Sequence, residues 1–163
     1  MFASALAASV TLNNGDAVEF GQGTGLVIAC DEEIVTRINE EWSEMIEDFR
    51  VSTIELTDLN VAVSTDPDSG CGGKVIKIQL LDNLGVPLTI GDSSGLTEIS
   101  VTLPAGGGGT PSDITSGATA VFVETIPDEG TLTVTIDGSV DQVASGVFRV
   151  TLESESQSES SGV

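Results

Sequence analysis

Short runs that alternate apolar and polar residues, separated by turn residues, recur along most of the chain. This two-residue period is typical of strands with one buried face. The turn Asn13-Asn14-Gly15-Asp16 favours a hairpin between Ser9–Leu12 and Ala17–Phe20, because Asn and Gly tolerate positive φ. Further strands are predicted at Leu26–Ala29, Glu33–Ile38, Arg50–Thr57, Lys74–Leu81, Val86–Ile90, Thr97–Leu103, Ala118–Thr125, Thr131–Ile136 and Gly146–Glu153.

One segment has a different period. Its apolar residues fall at i, i+4, i+7, i+8 and i+11, which is the spacing of one helix face; they are Ile38, Trp42, Met45, Ile46 and Phe49. The spacing predicts a short helix near 40–48, inserted between strands, with Asn39 as its N-cap. We expect this face, which includes the only tryptophan of the sequence, to be packed on the strands. The alternative is an aromatic platform for a ligand.

About ten short strands with one short helix predict an all-β protein, built as a single antiparallel β-sandwich. Jelly-roll and immunoglobulin-like topologies both fit this pattern. The domain is predicted to span 1–153, with a Gly-rich stretch at 104–117 that is either a mobile loop or a contact loop. Residues 154–163 alternate Ser and Glu and are expected to form an exposed acidic tail.

The charged-residue composition excludes several classes of function. The chain has 26 acidic residues, 5 basic residues and no histidine, for a net charge of −21. Five basic residues are too few to neutralise a run of phosphates. Nucleic acid is therefore not an expected partner. Catalysis and metal binding through histidine are excluded. No apolar run is long enough for membrane insertion. We therefore expect a protein that is not an enzyme.

Two cysteines, Cys30 and Cys71, stand at a predicted strand end and in a Gly-rich loop. This placement favours a disulfide across one end of the sandwich, and hence an extracellular or virion-surface location. The alternative is a pair of reduced cysteines, one of them buried.

The segment Asp66-Pro67-Asp68-Ser69-Gly70 is similar in spacing to part of a calcium loop. If the disulfide forms, Asp31 approaches Asp66 and Asp68 and completes a candidate calcium site. A polar turn is the alternative, and no other cofactor is expected.

The segment Phe2–Val10 is apolar and uncharged. It is either the first strand of its own sheet or an arm that adds a strand to a neighbouring subunit through Phe2, Leu6 and Val10.

These features favour a structural protein displayed on the outside of an assembly, with a decoration, fibre or tail subunit of a virion as the first hypothesis. Its partners are then copies of itself or other structural subunits. A secreted filament or pilus subunit that assembles by strand donation is an alternative. An extracellular adhesion or carbohydrate-binding module is another.

Overall fold

The computed structural model describes residues 9–11, 17–19, 30–31, 34–63, 70–90, 95–137 and 144–155. Within these ranges the chain forms nine strands and one turn of 3-10 helix, Ala144–Gly146. The strands are β1 (Ser9–Thr11), β2 (Ala17–Glu19), β3 (Val35–Ser43), β4 (Asp48–Asn60), β5 (Val75–Leu81), β6 (Ile99–Thr102), β7 (Ala118–Ile126), β8 (Glu129–Ile136) and β9 (Arg149–Glu155).

Seven of these strands form two antiparallel sheets. The four-stranded sheet has the order β3-β4-β8-β7, and the three-stranded sheet has the order β6-β5-β9. Every pairing in both sheets is antiparallel. The predicted all-β class is therefore confirmed.

Both sheets contribute to one hydrophobic core. The alternation seen in the sequence places every second residue inward, as in β8, where Leu132 and Val134 are fully buried while Thr133 between them is not. The core residues from both sheets belong to a single cluster that includes Ile54, Leu56, Ile76, Ile78, Val101, Leu132, Val134 and Val150. Each such side chain stabilises the fold by about 1.5–3 kcal/mol relative to an exposed one.

The predicted helix near 40–48 is wrong. These residues form the end of β3, a turn at 44–47 and the start of β4. Trp42 pairs with Phe49 across the resulting hairpin, so their seven-residue separation comes from a turn and not from two turns of helix. Asn39, predicted as the N-cap, lies within β3 and donates a hydrogen bond from Nδ2 to Thr53 Oγ1 at 2.9 Å. Cross-strand pairing of distant residues overrides the local period here.

The number of strands also differs from the prediction, with seven in the two sheets and not about ten in one sandwich. Val86–Ile90 is not a strand, and only an isolated bridge joins Pro87 to Leu81. The predicted strand Leu26–Ala29 lies outside the described residues. At the other end, β9 includes Ser154 and Glu155, two residues beyond the predicted start of the tail.

The predicted N-terminal hairpin is present, since β1 pairs with β2 in an antiparallel register that places Val10 opposite Val18. This two-stranded unit is separate from both sheets. Strand β1 lies beside β3, and β2 lies beside β9. The hairpin therefore lies on the side of the molecule where β3 and β9 are the last strands of their sheets.

The Gly-rich stretch 104–117 folds back onto its own domain. Ser112 exchanges two backbone hydrogen bonds of 2.9 Å with Thr102 of β6, and Thr115 N donates to Ser100 O at 3.0 Å. Near its start, Gly106 N donates to Val61 O at 3.0 Å. Gly107 lies against the carboxylate of Glu124, where a side chain would collide. This loop covers the outer edge of β6.

Candidate interaction surface

The β3–β4 hairpin extends beyond the four-stranded sheet. Strand β4 pairs with β8 only from Thr53 onward, whereas it pairs with β3 back to Asp48. The stretch from Glu40 to Ser52 is therefore a two-stranded ribbon that projects from the end of the sheet. A register shift between Asn39 and Glu40 marks the point where the ribbon begins.

Three large apolar side chains are exposed on this ribbon. Met45 in the turn is 72% exposed, Trp42 is 53% exposed and Phe49 is 49% exposed. The rings of Trp42 and Phe49 pack edge to face, with centroids 5.5 Å apart and an interplanar angle of 77°. We call these three residues the ribbon tip. The sequence-based expectation that Trp42 and Phe49 are buried is wrong.

The ribbon tip continues the inward face of β4. Alternate residues of a strand share a face, so Phe49 lies on the same side as Val51, which is buried at 1% exposure. Trp42 is the cross-strand partner of Phe49 and lies on that side as well. The apolar face therefore extends past the end of the core, into a region that the rest of the described chain leaves exposed.

Carboxylates surround the ribbon tip. Glu40, Glu41, Glu44 and Glu47 are exposed within the same hairpin, and Asp48 is half-buried. One of these charges is paired, because Arg50 Nη2 lies 2.5 Å from Glu41 Oε1. The surface is thus an apolar centre with an acidic rim, which suits an apolar partner with basic residues around it.

The outer face of the four-stranded sheet is almost free of charge. One cross-strand row places Arg37 opposite Glu55, and Glu55 opposite Thr133. The remaining outward positions are mainly threonine and valine, at Thr53, Thr119, Val121, Val123, Thr131, Thr133 and Thr135. In a chain with 26 acidic residues, this face is an unusual neutral surface.

The outer face of the three-stranded sheet is polar and charged. Lys77 Nζ lies 2.7 Å from Glu155 Oε1 and 3.9 Å from Glu98 Oε1. The hydrogen bond to Glu155 raises the pKa of Lys77 above its usual 10.5. Desolvation lowers this pKa, and the charges of Glu98, Glu155 and Glu153 raise it, so the net shift is upward. Thr151 Oγ1 donates to Gln79 Oε1 at 3.5 Å on the same face. These contacts tie β9 to β5.

The predicted disulfide between Cys30 and Cys71 is present, with the two Cα atoms 5.1 Å apart. It joins the segment before β3 to the segment before β5. Backbone hydrogen bonds flank it, from Gly70 N to Cys30 O at 3.0 Å and from Cys71 N to Asn60 O at 2.8 Å. A disulfide is typical of proteins in oxidising, extracellular environments.

The remaining predicted site residues are only partly described. Asp31 accepts a hydrogen bond from Asn60 N at 2.7 Å, so one of its oxygens orders the backbone next to the disulfide. Asp66 and Asp68 lie outside the described residues, and so do Phe2 and Leu6. Among the described residues no group of three metal-ligating side chains comes together. The calcium site and the assembly role of Phe2, Leu6 and Val10 stay predictions.

A shallow depression of about 150 Å³ lies at the end of β7 and β8. It is lined by Gly117, Ala118, Thr119, Thr135 and Asp137. Asp137 is its only ionisable residue, so the depression lacks the pair of acid and base groups that general acid–base catalysis uses.

Sequence reasoning missed the ribbon tip because its apolar residues matched a helix period. The charge pattern gave no warning either, because Glu40, Glu41, Glu44 and Glu47 would lie on the opposite face of such a helix. Phe148, within the predicted strand Gly146–Glu153, precedes β9 and is 58% exposed. Phe122, within the predicted strand Ala118–Thr125, is buried at 8% exposure.

Comparison of the chain with protein-family models, with curated proteins and with solved structures gave no match. In the part of the chain that the structure describes, no helix has both the length and the apolar character needed to cross a bilayer.

Proposed function

We propose that this chain is a non-enzymatic structural subunit displayed on the outside of an assembly, with a virion surface as the most suitable setting, and that it docks there through the ribbon tip. Its fold is then a β-sandwich of immunoglobulin type. The order β3-β4-β8-β7 corresponds to strands A-B-E-D of that fold, and the neighbours β5 and β9 correspond to C and F.

The exposed ribbon tip is the observation on which the proposal rests. A Trp, a Met and a Phe at about half exposure or more are costly to leave in water, and Trp in particular is enriched where proteins bind each other. A projecting two-stranded ribbon presents them away from the body of the domain. Such a geometry fits insertion into a cleft of a neighbouring subunit.

Charge identifies the kind of partner. Four exposed glutamates and Asp48 lie within the same hairpin as the three apolar side chains, and Arg50 is the only base between residues 40 and 52. A second copy of this ribbon would oppose carboxylates with carboxylates. The partner is therefore a different structural protein of the assembly, with an apolar cleft and Lys or Arg at its rim.

The disulfide and the charge support the location. The Cys30–Cys71 bond suits an oxidising environment outside the cell, and a charge of −21 keeps an exposed subunit in solution before it is incorporated.

The first test is localisation on the native source. Antibodies against the folded domain, followed by immunogold electron microscopy, should label the outer surface of virions or comparable particles. Labelling along filaments would instead support the filament alternative, and labelling of soluble material alone would contradict both.

The second test isolates the ribbon tip. We expect Trp42→Ser/Phe49→Ser to lose at least tenfold in affinity for particles stripped of this protein, in line with the loss of about 2 kcal/mol typical of central aromatic contacts. A control is Leu84→Ser/Val86→Ser, which removes two apolar side chains that are at least as exposed, from a turn of the other sheet. Equal binding by wild type and both variants would refute docking through the ribbon tip.

An exposed tryptophan is also typical of carbohydrate-binding modules. The edge-to-face arrangement of Trp42 and Phe49 does not offer two coplanar rings for stacking on a sugar. Specific glycan binding that is lost in the Trp42→Ser/Phe49→Ser variant, without any binding to particles, would favour that function over the proposed one.

A further inference from the structure

The two sheets have four outer strands, and other described segments lie beside three of them. Strand β3 has β1 beside it, and β9 has β2 beside it. The edge of β6 is covered by the loop, through Ser112 and Thr115. In the part of the chain that the structure describes, β7 pairs with β8 alone. Beyond Ala118, whose N donates to Thr115 O at 3.2 Å, no described residue pairs with the other edge of β7.

The free hydrogen-bonding groups of this edge follow from its register. Ala118 is opposite Ile136, and Asp137 N donates to Gly117 O at 2.8 Å. In an antiparallel ladder this bond makes 118 and 136 a non-hydrogen-bonded pair, so odd-numbered β7 residues bond to β8. Ala120, Phe122 and Glu124 therefore direct their N–H and C=O groups outward, where no described group bonds to them.

The composition of β7 suits a strand partner. Natural edges are usually protected by charge, proline or short length. Strand β7, with the sequence Ala-Thr-Ala-Val-Phe-Val-Glu-Thr-Ile, has one charged residue, Glu124, and no proline. Val121 and Val123 on its outer face are 58% and 57% exposed.

We propose that β7 pairs antiparallel with β7 of a second copy, about a two-fold axis at Phe122. The two four-stranded sheets then form one continuous sheet of eight strands. Phe122 pairs with its own symmetry mate, and Ala120 pairs with Glu124 of the other copy. The Phe122 pair and the two symmetry-related Ala120–Glu124 pairs are all hydrogen-bonded pairs, which gives about six backbone hydrogen bonds between the copies.

This register is favourable for side chains as well. On the outer face Val121 of each copy lies opposite Val123 of the other, in the closer, non-hydrogen-bonded type of pair. Each Glu124 lies opposite an alanine, so the only charged residue of the strand does not meet its like. The neutral outer face of the sheet continues across the junction.

The net charge opposes this association. Two subunits of −21 repel each other, and the repulsion decreases as salt shortens the screening distance. Dimerisation should therefore be stronger at high ionic strength. This self-association uses a surface distinct from the ribbon tip and does not depend on the proposed function.

The test uses the full chain and two kinds of variant. Ala120→Pro removes an outward N–H and places a ring at the interface, while the bonds of Thr119 and Val121 to β8 remain, as edge prolines allow. Ala120→Ser is the matched control that keeps the N–H. Sedimentation equilibrium at low and high salt should show a wild-type dimer, a dimer for Ala120→Ser, and a dissociation constant raised at least about tenfold for Ala120→Pro.

Val121→Lys/Val123→Lys tests the register by itself and changes only exposed positions. The added lysines make the net charge less negative and so reduce repulsion between copies. Association through any other surface would therefore become stronger. Pairing about Phe122 instead places lysine opposite lysine, and the dimer should weaken. A second readout is amide exchange, which should slow at Ala120, Phe122 and Glu124 as protein concentration rises.

Three results would overturn the proposal: a wild type that is monomeric at high salt and high concentration, a dimer that Ala120→Pro leaves intact, or a dimer strengthened by the two lysines. In the last two cases the copies associate through another surface. In the first, the edge is not a site of self-association.

Discussion

Trp42 and Phe49 face each other across the β3–β4 ribbon, with their rings edge to face and their centroids 5.5 Å apart. Both lie beyond the last residue of β4 that pairs with β8. Their contact therefore stabilises the ribbon alone, while about half of each side chain stays in contact with water.

The coupling between these two rings should be measurable. A double-mutant cycle with Trp42→Ala and Phe49→Ala should give an interaction energy of about 1 kcal/mol in the free energy of unfolding, as for other edge-to-face pairs. Urea denaturation followed by circular dichroism measures it. Additive single effects would show that the two rings do not stabilise the ribbon jointly.

The acidic rim should affect the fluorescence of Trp42, the only tryptophan. We expect the cation caesium to quench its emission more strongly than the anion iodide, because the carboxylates of the hairpin attract cations and repel anions. High salt should reduce the difference. Equal quenching at low salt would contradict an acidic surround, and the control Glu44→Gln/Glu47→Gln should narrow the gap.

Removal of the disulfide should be costly. Cys30 and Cys71 are 41 residues apart, and cross-linking a loop of that length stabilises the folded state by about 4 kcal/mol in the chain-entropy model. The Cys30→Ala/Cys71→Ala variant should lose a comparable amount in denaturant unfolding. Reduction of the wild type should give a similar loss, whereas reduction of the variant should have no effect.

Gly130 is required for steric reasons. A Cβ at this position would collide with the Val123 carbonyl and lie 2.7 Å from Phe122 Cζ. Gly130→Ala should lower the free energy of unfolding by about 2–3 kcal/mol, the upper part of the range for overpacked sites. The control Gly85→Ala has open space around its Cβ but a φ of +79°, so it should cost only about 1 kcal/mol. Equal losses would refute the steric argument.

Lys77 should titrate above the usual lysine range. Its pKa is raised above 10.5 because Glu155 accepts a hydrogen bond from its charged form. The folded pKa exceeds the unfolded one, so this contact stabilises the fold below the unfolded pKa, and the stabilisation is lost as pH rises through the folded pKa. Carbon-13 NMR of Lys77 Cε should show the raised value, and Glu155→Gln should lower it. An unchanged titration in Glu155→Gln would contradict the assignment.

Much of the fold could be predicted from local patterns. The alternation in Arg50–Thr57, Lys74–Leu81 and Thr131–Ile136 indicated strands that the structure contains, because burying one face of a strand requires a two-residue period. The same alternation identified inward residues such as Leu132 and Val134. The two cysteines indicated the disulfide that is observed.

The segment around Trp42 could not be predicted in this way. Apolar residues at 38, 42, 45, 46 and 49 satisfy a helix period, and they satisfy a hairpin with a four-residue turn equally well. Thr53 and Ile54 pair with β8, some eighty residues away, and this pairing selects the strand conformation of β4. Strand β3 then pairs with β4. The spacing of residues within one segment carries no information about that long-range contact.

The sequence by itself determined the strand-forming character, the inward faces, the acidity and the cross-link, since each depends on residue type or on spacing within one segment. Only the tertiary structure decided which strands are neighbours, where the ribbon leaves the sheet and which edge has no pairing partner among the described residues. Those features depend on contacts between residues far apart in the chain. The position of β7 at the end of its sheet, next to β8 alone, is the clearest case.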